Sequence, residues 1–167
     1  MKKALLTLTL LMLTSCGFHP VYGVNRYTQT GVEQYLEQIH IGNIKDQEGQ
    51  FLRNELIDRF YRNNRPQNPQ YTLSIDEINE SQTSIDITED ADATRGQLKM
   101  NVRFILSDNS SKTELLSREL TSIASYNILT SEFTNRVSEQ NARENLIRDI
   151  ARQIELNIAL YFKKNNS

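Results

Sequence analysis

Tryptophan is absent from this 167-residue chain, cysteine occurs once and histidine twice. A lone cysteine excludes an intrachain disulfide, so packing alone must hold the fold. His19 and His40 with one thiol are too few for the ligand sets that metal centres favour, and no metal or other cofactor is expected. An excess of positive charge is missing as well. The chain has 19 Lys and Arg against 21 Asp and Glu, a formal charge of −2, which argues against a nucleic-acid partner. Catalytic signatures are also lacking: no G-x-S-x-G, H-E-x-x-H, phosphate-binding loop, G-x-G-x-x-G or C-x-x-C occurs. Ser107-Asp108-Asn109 spells the S-D-N of β-lactamases, but without S-x-x-K or K-T-G it reads as a turn. Asp86, Glu89, Asp90 and Asp92 lack the spacing and glycine of a calcium loop and read as a solvated hairpin tip. These absences make the chain a non-enzyme on its sequence.

What the chain does have is one apolar run, residues 4–13, preceded by Lys2 and Lys3 and followed by the small Thr14 and Ser15. This is the pattern of a secretory signal. As a helix the run would reach about 15 Å, half of a hydrocarbon core, and would not span it. Leu13-Thr14-Ser15-Cys16 resembles the lipobox of bacterial lipoproteins, which makes Cys16 the first mature residue and the acylation site. Gly17 stands where retention in the inner membrane goes with aspartate, so the same resemblance implies the outer membrane. The chain divides into a cleaved signal (1–15), a lipidated N-terminus and tether carrying Pro20, Gly23 and Gly31 (16–36), and a single domain (37–163). Loss of the signal removes Lys2 and Lys3 and takes the formal charge from −2 to −4. About 150 residues remain, enough for a core without staples.

Periodicity supplies the elements. Ile39, Ile41 and Ile44 suggest a short strand; Leu52, Leu56 and Phe60, widened by Phe51 and Ile57, predict a helix over residues 50–62. Tyr71, Leu73 and Ile75, resumed at Ile85 and Ile87, predict a long, bulged strand over 71–88. Leu98, Met100, Val102, Phe104 and Leu106 alternate without error and mark a half-buried strand. A fourth strand covers about 113–126, with its two faces undecided. Leu146, Ile150, Ile154 and Ile158, with Ile147, Ala151 and Phe162, predict a helix over 138–162. The expected class is α+β, a four-stranded sheet with two α-helices packed on one face.

Several segments in order carry a resemblance. Cys16-Gly17-Phe18-His19-Pro20-Val21-Tyr22-Gly23, Arg53-Asn54-Glu55-Leu56, Gly96-Gln97-Leu98-Lys99-Met100-Asn101-Val102, Ser125-Tyr126-Asn127 and Ala159-Leu160-Tyr161-Phe162 together resemble the lipopolysaccharide-assembly lipoprotein family LptE, over nearly the whole mature chain. The resemblance implies a non-enzymatic role. Such proteins plug the β-barrel protein LptD as a 1:1 heterodimer, assist its assembly and help deliver lipopolysaccharide to the outer leaflet, facing the periplasm and barrel lumen. Arg136 matches a basic position associated in the family with lipopolysaccharide contact. Arg95, Lys99 and Arg103 join it as candidates, since guanidinium and ammonium groups hold phosphates. Residues 89–92 are acidic where the family carries a basic contact. Two rival readings are an outer-membrane lipid-handling or assembly lipoprotein with its own apolar cavity, and a tethered periplasmic hydrolase.

Overall fold

A computed structural model describes residues 31–61, 64–87 and 93–165. In chain order the elements are α1 (Glu33–Leu36), β1 (Ile39–Ile41), α2 (Asp46–Phe60), β2 (Tyr71–Ile75), β3 (Asn79–Ile87), β4 (Ala93–Asp108), β5 (Glu114–Asn127) and α3 (Glu132–Asn165). The errorless alternation read in the sequence becomes the axis of the sheet, β4. Its even residues Leu98, Met100, Val102, Phe104 and Leu106 are buried against helices, while Lys99 and Arg103 face outward.

β5 runs antiparallel along one side of β4, from Arg95↔Asn127 to Ser107↔Glu114. The other side is shared. β2 pairs with residues 104–108 of β4 and β3 with residues 93–101, both antiparallel, so β2 and β3 occupy one lane of the sheet. The single long strand expected over 71–88 is thus two strands end to end: the amide of Asp76 still donates to the carbonyl of Arg103 in the register of β2, and by Asn79↔Asn101 the register has shifted by one residue. β1 extends the sheet in parallel, with Ile39 opposite Tyr71. Counted by lanes the sheet has the four expected; counted by strands it has five.

α2 and α3 contribute Leu52, Leu56, Phe60, Leu146, Ile147, Ile150, Ile154 and Ile158 to one core with the inner face of the sheet. α2 starts four residues earlier than its apolar stripe. Its first turn, Asp46-Gln47-Glu48, places acids at the positive end of the helix dipole. Gly49 there lets Ile44 close in, since a Cβ would lie 2.6 Å from the Ile44 Cγ2. Tyr61 Oη donates to the carbonyl of Ile39, and Arg53 Nε to that of Gly42 at 3.1 Å, tying α2 to β1. α3 begins six residues before the predicted start, its first turn capped by Ser131, whose Oγ accepts from the amide of Thr134.

Two helices were expected, and the described residues form three. The third, α1, is a single turn that lies at the end of the stretch read as a tether. Val32 and Leu36 are buried there and Tyr35 stacks on Phe162 at 4.7 Å. The turn read in Ser107-Asp108-Asn109 joins β4 to β5. Hydrogen bonds from the hydroxyl of Ser110, then the amides of Ser111 and Ser110, hold the Asp108 carboxyl down to about 2.

Candidate functional site

Position on β4 decides where the candidate cations point. Arg95, Lys99 and Arg103 are four residues apart, all odd, so they form one row on the face of the sheet turned away from the helices. Successive members lie about 13 Å apart at strand rise. Their cross-strand neighbours are mixed. Lys99 sits between Ser81 and Ile123, Arg95 between Ile85 and Asn127, and Arg103 opposite Glu119 with a 3.4 Å contact from Nη2 to the Ser117 hydroxyl.

Arg136 is not on that face. It stands in the second turn of α3, on the helix side, paired with Glu132 at 2.6 Å in an exposed i,i+4 contact that contributes little. Chain connections nevertheless bring it to the same end of the molecule as Arg95. Asn127 pairs with Arg95, the amide of Ile128 donates to the carbonyl of Thr94, and the Asn135 side chain bonds both main-chain groups of Leu129 at 2.6 and 2.7 Å. The structure therefore gathers Arg95 and Arg136 at one end and leaves Lys99 and Arg103 progressively further along β4.

Three residues that the sequence reading overlooked lie beside Arg136. Leu129, Phe133 and Val137 recur four apart and are 51%, 77% and 44% exposed. Their spacing was a usable signal, masked by starting the helix at residue 138. Below them Arg143 clasps the β3 arm to α3. Its guanidinium donates to both carboxyl oxygens of Glu80 at 2.8 Å and to Glu139 at 2.7 Å, which raises an already permanent charge further. Gln82 and the hydroxyl of Tyr126 hydrogen-bond beside it, and burial pushes that phenol up. Opposite Tyr126 on β4 is Gly96, where a Cβ would fall 2.3–2.6 Å from the ring atoms. The glycine and tyrosine of the two motifs are thus halves of one contact.

The remaining sequence candidates are placed as follows. Cys16, His19 and residues 89–92 lie outside the described residues, as does the side chain of Asp86. His40 is exposed on β1. Among the described residues no three His, Cys, Asp or Glu side chains gather as a metal site, and no helix is long and apolar enough to cross a membrane. The buried Ser122 donates to Asp149 at 2.8 Å. Burial would raise that carboxyl, but hydrogen bonds from Arg152, Ser122 and Gln153 together hold it below the usual carboxylate range, a satisfied structural cluster.

No curated protein matches the chain in sequence. Solved structures match its fold. One from Caulobacter crescentus CB15, a candidate lipoprotein, superposes with a TM-score of 0.64 at 20% identity, over 81% of this chain and 97% of the other. The rare lipoprotein B of Shewanella oneidensis gives 0.60 at 9% identity, over 77% and 97%. A minor lipoprotein of Acinetobacter baumannii gives 0.52 at 20% identity, over 73% and 88%. The model of one family, LptE, described as lipopolysaccharide-assembly, matches residues 36–158, which include β1 to β5, α2 and most of α3. By that match the chain belongs to the LptE lipopolysaccharide-assembly family.

Proposed function

We propose that this protein is a non-enzymatic outer-membrane lipoprotein, anchored through Cys16, that plugs a β-barrel partner of the LptD kind and contacts lipopolysaccharide at the end carrying Arg95 and Arg136. One observation carries the contact: that end combines guanidinium groups with the exposed Leu129, Phe133 and Val137. An amphiphile bearing phosphates beside acyl chains needs both, paired hydrogen bonds for the first and apolar area for the second. The opposite end holds α1 and the last turn of α3, so the described part of the chain begins about 50 Å from the contact, the length of a 34-residue helix. The outward face of the sheet, rich in Ser, Thr, Asn and Gln around the row of cations, suits the polar wall of a barrel lumen. A plug of this kind has its anchor at the periplasmic rim and its lipopolysaccharide end inside the barrel.

The test of the plug is co-purification. A C-terminally tagged chain drawn from detergent-solubilised outer membranes is expected to bring a large β-barrel in near-equal amount; recovery of the chain alone would count against it. The contact is tested separately. Arg136→Asp should weaken lipopolysaccharide binding about tenfold, the loss of one charge-assisted contact. Arg65→Asp, in the loop after α2, should leave binding alone, and both should keep the wild-type melting temperature. Equal losses would remove Arg136 from the site.

A further inference from the structure

β5 is an edge strand: among the described residues it pairs with β4 alone. Two contacts show which of its main-chain groups turn outward. Gln153 Nε2 reaches the carbonyl of Thr121, and Arg118 Nη1 the carbonyl of Ser117 at 2.9 Å. In an antiparallel strand the amide and carbonyl of one residue point the same way, so the amides of Ser117 and Glu119 face away from β4 as well. Towards its start the strand is irregular, with a register shift that leaves Leu115 without a partner on β4.

Along this edge runs an open groove of about 580 Å³, one wall formed by the consecutive residues 114–118 and the other by the last turns of α3. Consecutive lining means that the strand offers its main chain and not merely alternate side chains. Leu115, Leu160 and Tyr161 give the mostly polar groove an apolar strip, with Leu160 54% exposed. Arg118 and Lys164 make it basic. Neither forms an ion pair with an acid among the described residues, although Glu114 stands at one end. A strand edge facing a helix across a polar, cationic groove with an apolar strip matches the mode in which an extended peptide adds to a sheet.

We propose that this groove takes an extended, acidic segment of a partner polypeptide, which adds to β5 as a further strand with its carboxylates on the helix side toward Arg118 and Lys164 and its alternating apolar side chains on the opposite side, beside Leu115. The inference stands on the edge and its charges, independently of the lipopolysaccharide contact at the other end of α3. It goes beyond the plug reading by naming a second contact surface outside the row of cations.

The probe is a fluorescein-labelled dodecapeptide alternating valine with aspartate and threonine, titrated into the mature chain purified in detergent. Saturable binding is expected, weakened at least tenfold when Arg118→Glu and Lys164→Glu are combined, with hydrogen exchange slowed at the amides of Ser117 and Glu119. Ser117→Pro removes one of those donors at an edge position where proline is tolerated, and should weaken binding while the two charges remain. No saturable binding, or binding indifferent to the charge reversal, overturns the proposal. Equal affinity for a peptide of the same charge interrupted by prolines overturns strand addition. A dimer in sedimentation that Ser117→Pro dissolves would mean that a second copy covers the edge, and would also overturn it.

Discussion

Gly96→Val is expected to lower the melting temperature by about 10 °C, with Gly96→Ala intermediate. Both faces of the reasoning come from one register pair. Gly96 lies opposite Tyr126, whose ring rests over it so closely that any Cβ must displace the ring. Tyr126 is itself buried, its hydroxyl joined to Gln82 in the polar layer that fastens β3 to α3. Overpacking against a buried ring of this kind costs about 3 kcal/mol at its upper range. For a domain of this size that corresponds to the stated shift. Valine is otherwise the better strand residue, so the sign of the effect isolates the steric term. Tyr126→Ala alone should also destabilise, by cavity formation. In the double variant the valine finds the vacated space, and the penalty at Gly96 should vanish, giving a coupling of about 2–3 kcal/mol. Additive losses in thermal melts would show that the ring and the glycine do not constrain each other.

That pair also illustrates what was legible beforehand and what was not. Gly96 and Tyr126 could be picked out as parts of a resemblance, but a chain read one residue at a time does not say that they touch. β4 was readable because every even residue from Leu98 to Leu106 is apolar while Lys99, Asn101 and Arg103 between them can face water, Ile105 being the one apolar exception. The faces of β5 were not readable, because Leu115 and Ile123 point outward while Arg118 and Ser122 share the inner side. Tertiary partners settle those exceptions: Ser122 has Asp149, and Arg118 opens onto the groove at the edge. The break between β2 and β3 is a one-residue shift of register against β4 between Ile75 and Asn79, which no local pattern locates. α1 is too short to signal itself by periodicity, and its stability comes from Phe162 at the far end of the sequence. Among the site candidates, the row Arg95, Lys99 and Arg103 was legible from alternation alone. The placement of Arg136 off that row was hidden, because it depends on where α3 starts and on which side of the sheet it runs.

Cys16→Ala is expected to separate the two attachments proposed for the protein, the acyl anchor and the barrel plug. Each buried methylene of an acyl chain contributes about 0.8 kcal/mol, and several chains together hold a protein on a membrane where one alone is marginal. The described fold offers no replacement, since none of its helices is long and apolar enough to span a bilayer. Among the described residues the core runs from Val32 and closes through Leu36, Ile39 and Phe162, which is the ground for expecting the fold to stand without the anchor. The variant chain produced without its barrel partner should therefore move almost wholly into the soluble periplasmic fraction, with the circular dichroism spectrum and melting temperature of the mature wild type. Produced with the partner, it should remain with the membranes, held by the plug alone. Release under both conditions would contradict the plug, and retention under both would contradict the acyl anchor. A collapsed spectrum would instead place residues before Val32 inside the folded unit, and the tether would have to be redrawn as part of the domain.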